Sequence, residues 1–313
     1  MSHKQTTALL DTVSRVMVGK EEQIRLLIAA LLARGHVLLE DLPGMGKTML
    51  AKSLAQAIGG SFHRLQFTSD LLPTDVVGLH YFNPQKGEFE LRRGPVFTDV
   101  LLADEINRAT PRTQSGLLEC MEERQTSIEG VTLPLPRAFF VIATQNPIES
   151  EGTYPLPEAQ LDRFLFRLSL GYGSRDDSRE ILRRFRADSP LEEIQPVVSA
   201  EEIIAMQAQV RQIHVSDAVE GYVLDLTEAS RQHKAVAVGI SPRAMLALVR
   251  SAQALAFLAG RTYVLPDDVK QAVPALFTHR IQLSMEAELH VTEAEVVAQI
   301  LQSVPTPVEE GVR

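Results

Sequence analysis

The chain has 313 residues, 45% hydrophobic and 23% charged, an ordinary globular composition long enough for one large or two medium domains. A net charge of −9, no tryptophan and 5% aromatic residues argue against a protein that grips nucleic-acid backbones or stacks single strands. No apolar run reaches the ~20 residues of a membrane span, MSHKQTTALLDTVSRV lacks the apolar centre of a signal peptide, and the single cysteine, Cys120, allows no internal disulfide, so a reducing, cytoplasmic setting is expected.

In chain order, HVLLE (36–40) is a short apolar strand, and KTMLAKSLAQAI (47–58) has helical spacing and stops at Gly59-Gly60. FHRLQF (62–67), DVLLA (99–103), AFFVIAT (138–144) and FLFRLSL (164–170) read as further buried strands, with a helix, TQSGLLECMEERQ (113–125), between two of them. Cys120 sits in the apolar pattern LLECM and reads as a small buried hydrophobe. Strands alternating with helices predict a parallel sheet flanked by helices on both faces. Residues 78–96 and 126–135 interrupt this pattern as two hairpins, the second turning at Glu129-Gly130. Beyond about residue 172 the runs become amphipathic and helical. Ser199-x-x-Glu202 and Thr292-x-x-Glu295 form capping boxes, and Ser241-Pro242 supplies an N-cap followed by a first-turn proline. The expected organisation is an α/β core over 1–172 and a smaller all-helical domain over 173–313.

The chemistry concentrates at strand ends. LLEDLPGMGKT places Gly44, Gly46, Lys47 and Thr48 between a strand and a helix start, where backbone N–H groups and the helix dipole favour an anion. Lys47 would pair with β- and γ-phosphates and the Thr48 hydroxyl would hold Mg²⁺. The usual pattern has a glycine where Asp41 stands. A side chain is tolerated at a strand-to-loop junction if φ stays negative, so Asp41→Gly is expected to leave ATP binding within a few-fold. DVLLADE then ends a strand in two acids: Asp104, suited to a metal's water shell, and Glu105, suited to polarising a water. Gln145 and Asn146 close a third apolar strand on the same ligand-binding edge. Arg243, in GISPRA, is a cation in the first turn of a helix, unfavourable to the dipole unless an anion faces it.

This ordered set, with LQFTSDLLPTDVVG, RRGPVFTDVLLADEINRA and VIATQNPIESEGTYPLPEAQLDRF, resembles the AAA+ ATPases and, within them, the MoxR family, over nearly the whole chain. The resemblance implies a P-loop AAA+ core followed by a helical lid, ATP hydrolysed to ADP, and Mg²⁺ as cofactor. It matches Val18 and Gly19, before the first helix, to the segment that contacts adenine. Pro43, Gly44, Met45, Gly46, Lys47 and Thr48 match the phosphate cradle, and Thr48 and Asp104 the metal ligands. Glu105 matches the catalytic acid and Asn146 the sensor-1 polar residue. Arg163 matches the arginine finger given to a neighbouring subunit, with Arg167 and Arg108 as alternatives. Arg243 matches the sensor-2 arginine, reaching the γ-phosphate of its own subunit. The hairpins resemble the helix-2 and pre-sensor-1 inserts of this branch.

The function so implied is a chaperone-like remodelling motor for protein complexes. It would work as a homo-oligomeric ring, usually hexameric in the family, often with a von Willebrand factor A-type partner. A magnesium-chelatase-like motor subunit is a close relative of this reading. A nucleic-acid-dependent motor is the contrasting one; it finds footing in Lys86, Arg92 and Arg93 of the first hairpin and is opposed by the net charge. A slow nucleotide-gated switch is a third, opposed by Glu105 and Arg163.

Overall fold

The structure is a computed structural model that describes residues 2–146, 152–186 and 190–307. Two helices, α1 (Ser2–Val16) and α2 (Glu21–Leu32), precede the first strand, β1 (Val37–Glu40), which leads through a loop into α3 (Lys47–Ala57). Then follow β2 (Phe62–Gln66), α4 (Pro73–Val77), a hairpin of β3 (Gly78–Asn83) and β4 (Glu88–Arg93), β5 (Val100–Asp104) and α5 (Pro111–Glu123). A second hairpin, β6 (Gln125–Ile128) and β7 (Val131–Pro134), comes before β8 (Phe140–Gln145), α6 (Glu158–Leu161) and β9 (Phe166–Leu168). The remainder is α7 (Arg175–Arg184), α8 (Ala200–Val210), α9 (Asp217–Gln232), β10 (Val236–Val238), α10 (Pro242–Leu258), α11 (Pro266–Phe277), β11 (Gln282–Leu283) and α12 (Glu293–Ser303).

Five strands form one parallel sheet in the order β2-β5-β8-β1-β9. The continuous apolar runs of β1, β5 and β8 are explained by burial on both faces; β2, expected to be buried, is instead a largely exposed edge strand. Val37, Leu39, Val100, Leu102, Phe140 and Ile142 point to one face, where α1, α2 and α3 cover them. Leu38, Leu101, Ala103, Val141 and Ala143 point to the other, against Leu117, Leu118, Cys120 and Met121 of α5. Cys120 is buried and reduced, its thiol pushed up to about 11 mainly by burial, as a small core hydrophobe should be.

Both hairpins form. The second turns through Glu129 and Gly130, both at positive φ (49° and 84°), the backbone that a tight two-residue turn requires. His80 of the first lies 3.2 Å from Glu129 of the second, so the inserts lie together. The capping boxes at Ser199 and Thr292 and the N-cap at Ser241 are all made. Two features depart from the expectation. A whole helix, α1, precedes Val18-Gly19 and buries Leu9, Val13 and Val16. The C-terminal region is also not wholly helical, because β10 and β11 pair as a short antiparallel ribbon.

Helices α8 to α12 bury their apolar faces in the same cluster as α1 to α3. A polar latch joins this helical part to the sheet. Arg280, 4% exposed, donates from Nε to Asp162 Oδ1 at 2.6 Å. Its remaining donors reach the carbonyls of Asp162, Phe164, Leu165 and Leu276. Arg280→Ala would strand several carbonyls and take from the half-buried Asp162 its shortest ion pair. It is expected to cost ~1–3 kcal/mol of unfolding free energy, read as a lower urea midpoint; an unchanged midpoint would show that the latch carries no stability.

Candidate nucleotide site

Because the five strands are parallel, all their C-terminal ends meet at one edge. Register pairs Glu40 with Gln145 and Gln66 with Asp104, so the ends of β1, β8, β5 and β2 are level. The loop after β1 and the acids after β5 flank β8 and stand about 10 Å apart, two strand spacings. Gly44 and Gly46 take φ values of 84° and 89°, a region in which a side chain would be strained. They turn the loop into the start of α3, whose first turn has no acid and whose N-cap makes no side-chain bond. Its leading N–H groups are therefore free of side-chain caps, the arrangement that suits a phosphate. Lys47 reaches back over the loop, its Nζ donating to the Asp41 carbonyl at 2.8 Å.

The two acids are held differently. Asp104 ends β5 and is 8% exposed. Its Oδ1 accepts from the Thr144 hydroxyl at 2.6 Å, and its Oδ2 accepts from Arg64 Nη2 and Nε at 2.6 and 3.0 Å. Glu105 lies just past the strand with φ 56°, a left-handed backbone uncommon for a glutamate and often found at functional sites. Its amide donates to the Thr144 hydroxyl, and its carboxylate meets Gln66 Nε2 at 2.7 Å and Arg108 Nε at 3.1 Å. Thr144 thus bridges both acids, while Arg64 and Gln66 of β2 occupy them from one side. Asn146, directly after β8, sits on this same edge; the run Pro147–Glu151 of the quoted motif lies outside the described residues.

Asp41 has a task that its sequence position does not reveal. It is 5% exposed. Its Oδ1 accepts from Ser169 Oγ (2.8 Å) and the Gly171 amide (3.0 Å), and its Oδ2 from the Leu170 amide (2.7 Å). The Gly171 carbonyl in turn accepts from Lys20 Nζ at 3.1 Å. Beside Lys20, Gly19 has φ 67°, and a side chain there would run into Asp177 of α7. A Cβ on Gly46 would come within 3.2 Å of Met17 Cε. So the Val18-Gly19 segment lies against the phosphate loop, and both are tied to the connector leading from β9 into α7.

The predicted arginines lie elsewhere. Arg163 precedes β9, and Leu165 N donates to His36 O just ahead of β1, which puts this segment at the strand-start edge. Glu122 ends α5 at that edge too, since the following Arg124 donates to the carbonyls of Phe139 and Arg34. Glu122 binds both predicted arginines, Arg163 at 3.2 Å and Arg243 at 3.1 Å, and Arg243 lies 3.7 Å from Asp162. Arg243 therefore has the anionic partners that its first-turn position called for. It stands beside Arg163, across the sheet from the loop of its own chain, and the expectation that it reaches its own subunit's phosphates does not fit this placement. Of the alternatives, Arg167 pairs with Glu40 at 3.6 Å and Arg108 with Glu105.

Comparison with known proteins places the chain. The ATPase family associated with various cellular activities (AAA) matches residues 36–166, and the AAA lid domain matches 228–300. Chaperone MoxR1 of Mycobacterium tuberculosis is 41% identical over 94% of this chain and 80% of its own length. The chain belongs to the MoxR family of AAA ATPases. YeaC, an uncharacterised Bacillus subtilis protein, is 47% identical over 96% of this chain and 94% of its own. A crystal structure from Cytophaga hutchinsonii superposes with a TM-score of 0.91 at 38% identity, covering 98% of this chain and 96% of the other. As a MoxR-family member the chain is an ATPase that binds nucleotide. Among the described residues no helix is long and apolar enough to cross a membrane, and no cluster of three or more His, Cys, Asp or Glu side chains could hold a metal by itself.

The Asp41 clamp reverses the expectation of a tolerant position. Asp41→Gly would leave the Leu170 and Gly171 amides without their acceptor, a loss of ~1–3 kcal/mol. It should lower the melting temperature and raise the KM for ATP about tenfold. Asp41→Asn, which keeps one acceptor, should lie between. Wild-type values in Asp41→Gly would show that the clamp bears no load.

Proposed function

We propose that this ATPase assembles into a homo-oligomeric, hexameric ring that uses Mg²⁺ and ATP to remodel protein complexes, in company with a von Willebrand factor A-type partner. The observation that carries the ring is the split of the machinery between two edges. The phosphate loop and both acids stand where strands end, while Arg163 and Arg243 share Glu122 where strands begin. A neighbour's strand-start edge, facing the loop, would complete the site. Residues 1–172 serve as the nucleotide-binding core and 173–313 as the lid.

In this reading the amides of Gly44 to Thr48, with Lys47, bind the phosphates behind Pro43, and Val18 and Gly19 lie against the base. The residues fit a phosphate ligand on the geometry of the loop: left-handed glycines and a helix start free of acids and side-chain caps. Thr48 and Asp104 would hold Mg²⁺, which supplies charge neutralisation at the phosphates when bound. This small donor set suits a cation that keeps most of its waters. Asp104 would serve it through Oδ2, the oxygen that Arg64 holds here. Glu105, released from Gln66 and Arg108, turns to a water, and Asn146 orients the reacting groups. Arg163 and Arg243 of the adjoining subunit steady the charge that develops in transfer, a contribution of about 10³–10⁵ in rate for an arginine finger.

A protein client is supported by the chaperone among the relatives and by the first hairpin. Its tip exposes Phe82 and Phe89, stacked edge to face at 5.5 Å, beside Tyr81. Two of the hairpin's three cations are engaged within the chain: Lys86 is paired with Glu90, and Arg93 lies 5.2 Å over the Phe97 ring.

Mixing two inactive variants tests the shared site. Lys47→Ala lacks a working loop, and Arg163→Ala/Arg243→Ala lacks working arginines. Random mixed rings would place a good loop beside good arginines at about a quarter of the junctions. The equal mixture should therefore regain about that fraction of wild-type hydrolysis. A mixture as inactive as its components, in rings shown to exchange subunits, would contradict a site completed in trans.

A further inference from the structure

At the strand-start edge lies a cavity of about 360 Å³, walled by six arginines, Arg34, Arg124, Arg163, Arg211, Arg243 and Arg250, against one acid, Glu122. A second cavity of about 310 Å³ shares Arg34, Gln207 and Arg211 with it and adds Arg137 and no acid. Glu122 is already bound to Arg163 and Arg243. Arg34, Arg211 and Arg250 have no acidic partner among the described residues, and Arg124 spends its donors on the carbonyls of Phe139 and Arg34. His36, in the wall, is neutral. Its Nδ1 accepts from Val141 N and its Nε2 faces Met121 O, while burial and Arg124 push its pKa down to about 3.

Three solvent-facing guanidinium groups without an acid, beside three already engaged, give this cavity a marked excess of positive charge. Burial, then the charges of Arg34 and Arg211, push Arg124 down to about 10, and burial followed by Arg211 lowers Arg34. The arrangement also stands out in a chain of net charge −9. An anion in the cavity would relieve the repulsion, and planar guanidinium forks match the oxygens of a phosphate group in pairs. The volume is that of a small-ligand site. His36 lies just before β1 and the phosphate loop just after it, so the whole sheet edge separates this cavity from the loop of the same chain.

We infer that this arginine-walled cavity is a second phosphate-anion site, built to take a polyphosphate-bearing ligand apart from the phosphate loop of its own chain. The inference concerns binding alone and stands whether or not the trans-site reading does.

Inorganic tripolyphosphate is the probe, titrated calorimetrically into full-length Lys47→Ala, in which the loop is disabled. One probe per chain is expected to bind. Adding Arg34→Asn and Arg211→Gln should weaken binding about tenfold or more. Asparagine tolerates the left-handed backbone of Arg34, φ 59°, and Arg124, with its backbone contacts, is left alone. Because the exchanges remove like-charge repulsion, the melting temperature should not fall, which separates lost binding from lost folding. Titration below and above the concentration at which the chain associates distinguishes two sources of the same chemistry. Binding to the dissociated chain assigns a free polyphosphate ligand. Arginine-dependent binding that appears only on association belongs to the junction of the proposed ring and overturns a separate site. Equal affinity with and without Arg34 and Arg211, or no saturable binding in either state, overturns the inference.

Discussion

A parallel sheet has two unlike edges, because every strand begins at one and finishes at the other. In this ATPase that asymmetry distributes the chemistry. Residues that follow strands, Asp41 through Thr48, Asp104, Glu105 and Asn146, are drawn to one edge by chain direction alone. Residues that precede strands, His36 and Arg163, gather at the other, and α5 delivers Glu122 there because it runs back across the sheet. No rotamer change carries a side chain across the length of β1 to β9. A charge needed at the strand-end edge but located at the strand-start edge has to come from another chain, and on this constraint the ring model depends.

Within one chain, the strand-end edge is coupled to the helical part through polar contacts. The Asp41 carboxylate and Lys20 ammonium grip the backbone of residues 169–171, the stretch by which the sheet hands over to α7. Lys47 rests on the carbonyl of the same Asp41. A ligand that drew Lys47 away from this carbonyl would act on the residue that holds the connector. At the other edge, Arg280, Asp162, Arg243, Glu122 and Arg163 form one ionic chain from the helical region to the sheet. Each edge thus has its own link to the helical region.

Much of the fold was legible because its determinants are local. The central strands β1, β5 and β8 announced themselves as unbroken apolar runs since both faces of the sheet are covered there, and Glu129-Gly130 marked a turn because two positive φ values favour such a pair. Serines and threonines three residues ahead of glutamates marked the true helix starts. What escaped is set by contacts distant in sequence. FHRLQF read as a buried strand, whereas β2 lies at the sheet edge and its Arg64 and Gln66 find partners about forty residues on. Asp41 looked like a tolerated substitution, since its three donors lie some 130 residues away. The edge that Arg243 occupies follows from how α10 packs, which no local pattern encodes. The ribbon of β10 and β11 was too short to show a period.

The most direct measurement is ATP hydrolysis per chain against protein concentration, with Mg²⁺ present and the association state followed in parallel. A site completed between subunits predicts a rate per chain that is near zero for the dissociated protein and rises to a plateau as rings form. Arg163→Ala should stay low throughout while still binding ATP. A rate per chain that is constant across the range in which the protein goes from dissociated to assembled would contradict the account and make each chain a self-contained enzyme.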